Sequence, residues 1–187
     1  MIFPKQLFFN DLTETELIEL APESPIPEWL NGAFIRNGPS LFNYSSTQLN
    51  HWFDGMAMLH KITFNQGKVS YMSKFPHSKA YAALREKGKI NYDEFATSQK
   101  QSLLKHIFNL LRGQVTDNNN VNVIQYGSSL LAMTETDNHA LIDPNTLSII
   151  GRHNYPDKVK FAINLAHPIV DEKQGKLYNL GIEFGHI

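Results

Sequence analysis

Val121-Asn122-Val123-Ile124-Gln125-Tyr126, Ser129-Leu130-Leu131-Ala132-Met133-Thr134-Glu135, His139-Ala140-Leu141-Ile142 and the run from Thr146 to His153 are four short extended stretches. They are parted by Gly127-Ser128, Asp137-Asn138 and Asp143-Pro144-Asn145, residues that favour tight turns. Four strands joined this closely pair in succession as an antiparallel meander. Such a unit is one blade of a β-propeller, and a sandwich would read the same in isolation. From Val121 to His153 it spans 33 residues, near the roughly 40 to 50 of one blade with its connections. The fold class expected from these strands is all-β with short helical insertions.

Upstream, Met56, Met58, His60, Ile62 and Phe64 alternate with Ala57, Leu59, Lys61 and Thr63, the pattern of a half-buried strand. Asn65-Gln66-Gly67 turns that strand into Lys68 to Phe75, giving a hairpin. Helical expectations are few. Thr13 to Leu20 reads as a short helix, with Glu16 three residues after Thr13 as a capping box. Ala80 to Lys87 reads as a helix stopped by Gly88, and Leu103, Leu104, Ile107, Phe108, Leu110 and Leu111 recur at helical spacing before Gly113.

Composition limits the function classes. The 187 residues are 42% hydrophobic and 19% charged, enough apolar material for one sizeable core. A net charge of -1 offers no basic field for a phosphate backbone, so no nucleic acid partner is expected. With no cysteine in the chain, disulfides, thiolate metal sites and cysteine nucleophiles are excluded, and His, Asp and Glu are left as strong metal ligands. No run of eighteen apolar residues occurs, and the first ten residues are too interrupted for a secretory segment, so a soluble cytoplasmic protein is expected.

Asn164-Leu165-Ala166-His167-Pro168 places a histidine where an extended segment meets a turn, since proline holds the residue before it extended. None of the other histidines shows a His-x-His or His-Glu-x-x-His spacing. His60, on the apolar face of its strand, reads as packed core. Glu135 shares parity with Leu131 and Met133, so a carboxylate ends an apolar face, where it needs a partner or must turn out to water.

Several segments together carry a resemblance covering the chain from Ile26 onward. They are Gly32 to Pro39 with its Gly-x-x-x-Arg-x-Gly-Pro pattern, Phe53-Asp54-Gly55, Arg112 to Asn118, Thr134-Glu135-Thr136, Asp143 to Leu147, and the His167 segment itself. In these the chain resembles the carotenoid cleavage oxygenases, and within them the β-carotene oxygenase and isomerohydrolase branch. Its approach to the histidine, from Ile163, is shorter than the family's usual one.

The resemblance implies a seven-bladed propeller whose axis holds Fe(2+) on four histidines, of which His167 matches the first. Four neutral imidazoles would hold the ion without cancelling its charge and leave positions open for dioxygen or a substrate oxygen. Glu135 matches a carboxylate that supports another ligand histidine, beyond Ile187, by accepting its N–H. Phe95 and Thr134 match residues lining the substrate passage and iron cavity.

Seven blades of about 40 residues need roughly 300 residues, so the resemblance implies that residues 1–187 are a partial seven-bladed β-propeller with short helical insertions, the N-terminal part of a single propeller domain, inactive alone. The activity implied for the complete protein is oxidative cleavage of a C=C bond in a carotenoid, apocarotenoid or related polyene by non-haem Fe(2+) and dioxygen. A retinyl-ester isomerohydrolase or a stilbene-cleaving oxygenase shares the iron site and stays open, as does a non-catalytic truncated propeller binding apolar ligands. Leu103 to Arg112 mixes large apolar residues with cations, as an interfacial helix does, and the family's matching segment implies peripheral membrane contact there.

Overall fold

The computed structural model describes residues 10–92, 94–97, 115–155, 161 and 163–183. Its elements in chain order are β1 (Thr15–Leu20), β2 (Gly32–Pro39), β3 (Asn43–Tyr44), β4 (Thr47–Gln48), a 3-10 turn (Trp52–Asp54), β5 (Ala57–Asn65), β6 (Lys68–Lys74), α1 (Lys79–Lys87), β7 (Asn122–Tyr126), β8 (Ser129–Met133), β9 (Ala140–Ile142), β10 (Ile149–Arg152), β11 (Ile163–Asn164), β12 (Ile169–Asp171), β13 (Lys176–Tyr178) and β14 (Gly181–Ile182). The described residues are therefore mostly strand, with one α-helix. The helical pattern at Leu103 to Leu111 and the segment Arg112 to Gln114 lie outside them.

The four runs from Val121 to His153 form the expected meander, an antiparallel sheet in the order β10-β9-β8-β7. A second antiparallel sheet, β1-β6-β5-β2, contains the expected hairpin. Asn65 pairs with Lys68, and the two loop residues between them, Gln66 and Gly67, have φ of 47° and 79°. Those left-handed values match the right-handed twist of the flanking strands, and glycine adopts them without steric cost.

Thr13 to Leu20 does not form the expected helix. Thr15–Leu20 is instead the edge strand β1, with Ile18 opposite Tyr71 and Leu20 opposite Val69. So short a helix is marginal on its own, while the open edge of β6 satisfies the same backbone groups directly. Glu14 is committed elsewhere too, its carboxylate accepting the Phe75 N–H at 2.9 Å.

The half-buried reading of β5 also changes. Ala57, Met58 and Leu59 are all buried, because Met58 packs into a core with Phe42, Met56 and Leu84 of α1, while Leu59 faces a different core with Leu130, Ala132 and Ile142. That second core lies between the two sheets, with Ile35 and Met72 packed against it from the first and Val123 and Ile149 from the other. On the opposite face of β8, Leu131 and Met133 pack on Ala166, with Leu177 alongside. The described residues are thus a stack: first sheet, second sheet, then the segment carrying His167. α1 ends as expected, its Ser78 hydroxyl accepting the Tyr81 N–H and Gly88 taking a left-handed φ of 63°.

Candidate functional site: one cavity at the sheet ends

Phe95, Thr134, Glu135 and His167, far apart in sequence, line one cavity of about 750 Å³. Each arrives differently. Thr134 and Glu135 leave the end of β8, where the meander carries the chain out of the inter-sheet core. Thr134 is buried and Glu135 is exposed. His167 is exposed and follows the buried Ala166, which plugs against Leu131 and Met133. Phe95 is 72% exposed, so it is a wall rather than core. It meets Phe53 edge-on at 5.5 Å and the His51 ring at 4.8 Å, giving the cavity an aromatic side.

A buried carboxylate holds that side in place. The Asp54 Oδ2 accepts the Thr97 hydroxyl at 2.6 Å and the His51 N–H at 3.1 Å, and its Oδ1 accepts the Ala96 N–H at 2.9 Å. It therefore ties the 3-10 turn bearing Phe53 to the loop bearing Phe95. Phe53-Asp54-Gly55 earns its place in this way.

The run Asp117 to Asn120 is polar throughout, yet its three asparagines are buried. Asn118 accepts the Ala57 N–H at 2.8 Å and donates to the Gly55 carbonyl at 3.0 Å. Asn120 donates to the carbonyls of Phe53 and Gly55 at 2.7 and 2.8 Å, and Asp117 accepts the first N–H groups of α1 from Lys79 and Ala80. A side-chain amide carries a donor and an acceptor together, so these asparagines bridge backbone that no strand pairs.

The segment before His167 is held in the same manner. Asn122 Nδ2 donates to the Ala166 carbonyl at 2.8 Å, Asn179 Nδ2 to the Leu165 carbonyl at 2.9 Å, and Asn164 Nδ2 to Asp137 at 2.9 Å. Glu135 Oε1 accepts the Ala166 N–H at 3.4 Å. Sequence reasoning met Asp54 only within the Phe53-Asp54-Gly55 segment, without its partners, and missed Asn122 and Asn179. Their side chains serve backbone distant in sequence, a pairing that no local pattern records.

His60 is only half-buried, its Nδ1 2.8 Å from the Tyr71 hydroxyl. Burial, with Arg36 nearby, lowers its pKa. His139 and His153 are buried and do not line this cavity, and burial lowers both pKa values. Among the described residues no three of His, Cys, Asp and Glu group closely enough to hold a metal ion. His167 is the one histidine lining the cavity there.

The sequence profile of the retinal pigment epithelial membrane protein family matches residues 8–187. A mouse β,β-carotene 15,15'-dioxygenase is 33% identical over 179 residues, covering 92% of this chain and 31% of the mouse protein. A human mitochondrial carotenoid-cleaving dioxygenase is 34% identical over 168 residues, covering 85% of this chain and 29% of its own length. Among solved structures, cobalt-substituted apocarotenoid oxygenase from Synechocystis superposes with a TM-score of 0.73 at 28% identity, over 86% of this chain and 34% of that one. The chain thus spans about a third of the relatives it matches. With nearly its whole length matched, it belongs to the retinal pigment epithelial membrane protein family, the carotenoid cleavage oxygenases.

Proposed function

We propose that this chain forms the N-terminal part of a single seven-bladed β-propeller oxygenase that cleaves a C=C bond of a carotenoid, apocarotenoid or related polyene. The observation that carries the reading is the meeting of Phe95, Thr134, Glu135 and His167 on one cavity. The stacked antiparallel sheets and the similarity to carotenoid oxygenases support it.

The donor chemistry fits ferrous iron. The His167 imidazole is exposed to the cavity and engages no other described side chain or backbone group, so a nitrogen is free to coordinate. His167 would supply one ligand, with the other imidazoles coming from chain outside these residues. When bound, the iron supplies the activation of dioxygen. Glu135 provides a carboxylate beside that position, able to accept an imidazole N–H and fix a tautomer. Phe53 and Phe95 supply an apolar wall suited to a long polyene, and Thr134 lines the same cavity.

No helix among the described residues is long and apolar enough to cross a membrane. A cytoplasmic protein reaching the bilayer through Leu103 to Arg112 agrees with a lipophilic substrate.

The test uses the complete protein loaded with Fe(2+) and given β-carotene and an apocarotenal in air. Two carbonyl products are expected. His167→Ala should lose most of the iron by elemental analysis while staying folded, and Glu135→Gln should cost about 10- to 100-fold in affinity or turnover. Full iron occupancy in His167→Ala would refute the ligand assignment.

A further inference from the structure

His139 is 1% exposed, and both of its ring nitrogens are engaged. Nε2 lies 2.9 Å from the carbonyl oxygen of Thr134, and Nδ1 lies 3.0 Å from the Tyr155 hydroxyl. A carbonyl only accepts, so Nε2 carries the proton. In the neutral ring Nδ1 then accepts, and the Tyr155 O–H donates to it. The Tyr155 oxygen in turn accepts from Asn179 Nδ2 at 3.4 Å, and the same amide donates to the Leu165 carbonyl at 2.9 Å. His153 packs edge-on against the Tyr155 ring at 4.5 Å and against Tyr126 at 4.7 Å, which fixes the phenol.

The result is a continuous hydrogen-bonded chain of side chains. It starts at the cavity wall, on the backbone of Thr134, and ends on Leu165, two residues before His167. His139 is buried while Tyr155 and Asn179 are half-buried, and a buried polar ring is costly unless both of its nitrogens are paired, as they are here. Its two ends hold the two pieces of backbone whose separation sets where the His167 ring stands against the wall.

We infer that His139, acting through Tyr155 and Asn179, is a positioning residue that fixes the approach to His167 against the cavity wall and so sets how tightly His167 holds its metal. The inference rests on the proposed role of His167 as a ligand. His139 touches neither metal nor substrate.

The experiment measures the ferrous dissociation constant of the complete protein by equilibrium dialysis with elemental analysis, beside circular dichroism and a thermal midpoint for each variant. Tyr155→Phe removes one oxygen and His139→Phe removes both hydrogen bonds. Each should weaken iron binding about tenfold, the range usual for partners that orient a ligand. His139→Gln, which offers one donor and one acceptor, should restore most of it. The double variant His139→Phe/Tyr155→Phe should bind no more weakly than His139→Phe, since one network is cut once.

Should His139→Phe fail to fold, Tyr155→Phe still decides the matter. Unchanged iron affinity in folded Tyr155→Phe, with iron lost from His167→Ala, would overturn this inference alone. Iron retained by His167→Ala would overturn the ligand reading and this inference with it.

Discussion

Replacing Asp54 tests whether a single buried carboxylate sets the aromatic side of the cavity. Asp54 is fully buried and accepts from the Thr97 hydroxyl and from the N–H groups of His51 and Ala96. In Asp54→Asn, the amide oxygen can take the place of Oδ2 and keep the Thr97 and His51 bonds, while the NH2 group confronts the Ala96 N–H. One donor is left unpaired at a position water can reach, because Ala96 is exposed. The cost is about 1–2 kcal/mol.

Asp54→Ala loses all three bonds. The Thr97 hydroxyl is left within a buried site, and the His51 N–H loses its partner in the capping box of the 3-10 turn. Roughly 1–3 kcal/mol for each poorly solvated donor, with less at Ala96, gives about 3–5 kcal/mol. Urea unfolding of the complete protein should order the variants as wild type, Asp54→Asn, Asp54→Ala. Proteolytic cleavage beside Phe95 should begin well before global unfolding. Thr97→Val should be strongly non-additive with Asp54→Ala, since the two share a bond. Equal midpoints for all variants, or full additivity, would refute the account of Asp54 as the tie between the two loops.

Three further outcomes are expected. A Cβ at Gly55 would stand 2.5 Å from Phe42 Cε1 and 2.7 Å from Pro39 Cβ, so Gly55→Ala should destabilise by about 1–3 kcal/mol through overpacking, read as a lower thermal midpoint; an unchanged midpoint contradicts the packing. His60, His139 and His153 all have lowered pKa values, chiefly from burial, so the unfolded chain takes protons first as pH falls. Stability should be full above the ordinary value of 6.5 and decline below it, by up to about 1.4 kcal/mol per pH unit for each histidine; a flat profile from about pH 7 to pH 5.5 argues against it. In liposome flotation the complete protein should rise with the vesicles, and Phe108→Glu with Leu111→Glu should reduce that; equal flotation rejects the interfacial role of Leu103 to Arg112.

What was legible in the sequence divides by the range of the interaction that fixes it. The meander from Asn122 to Arg152 could be read because its turns carry Gly, Asp, Asn and Pro at short intervals, and those residues impose their conformations locally. The hairpin at Gln66-Gly67 and the stop of α1 at Gly88 were legible for the same reason. β1 was not. Thr15 to Leu20 carries no strong preference of its own, and the partner that decides it, β6, lies about fifty residues away with an edge the sequence does not advertise. Burial of β5 on both faces was hidden likewise, since alternation says which residues share a face and not whether a second sheet covers the other.

The candidate site shows the same division more sharply. His167, Glu135, Thr134 and Phe95 entered through a resemblance of short segments, and local chemistry alone would leave each of them ordinary. The structure brings them to one cavity without making any of them strained or deeply unusual: Phe95 and His167 are exposed, and Glu135 bonds a backbone amide. The physical distinctiveness lies in Asp54, Asn118, Asn120, Asn122 and Asn179, which are committed to backbone far from themselves in sequence, and in the buried His139. An asparagine in a polar run reads as solvated loop until its partner is known. A site assembled from exposed groups on a rigid polar frame is therefore read in two halves, the exposed groups by likeness and the frame only by its hydrogen bonds. It follows that variants of His139, Tyr155 and Asn179 should separate positioning from chemistry: they should move metal affinity while leaving the Phe53 and Phe95 wall in place.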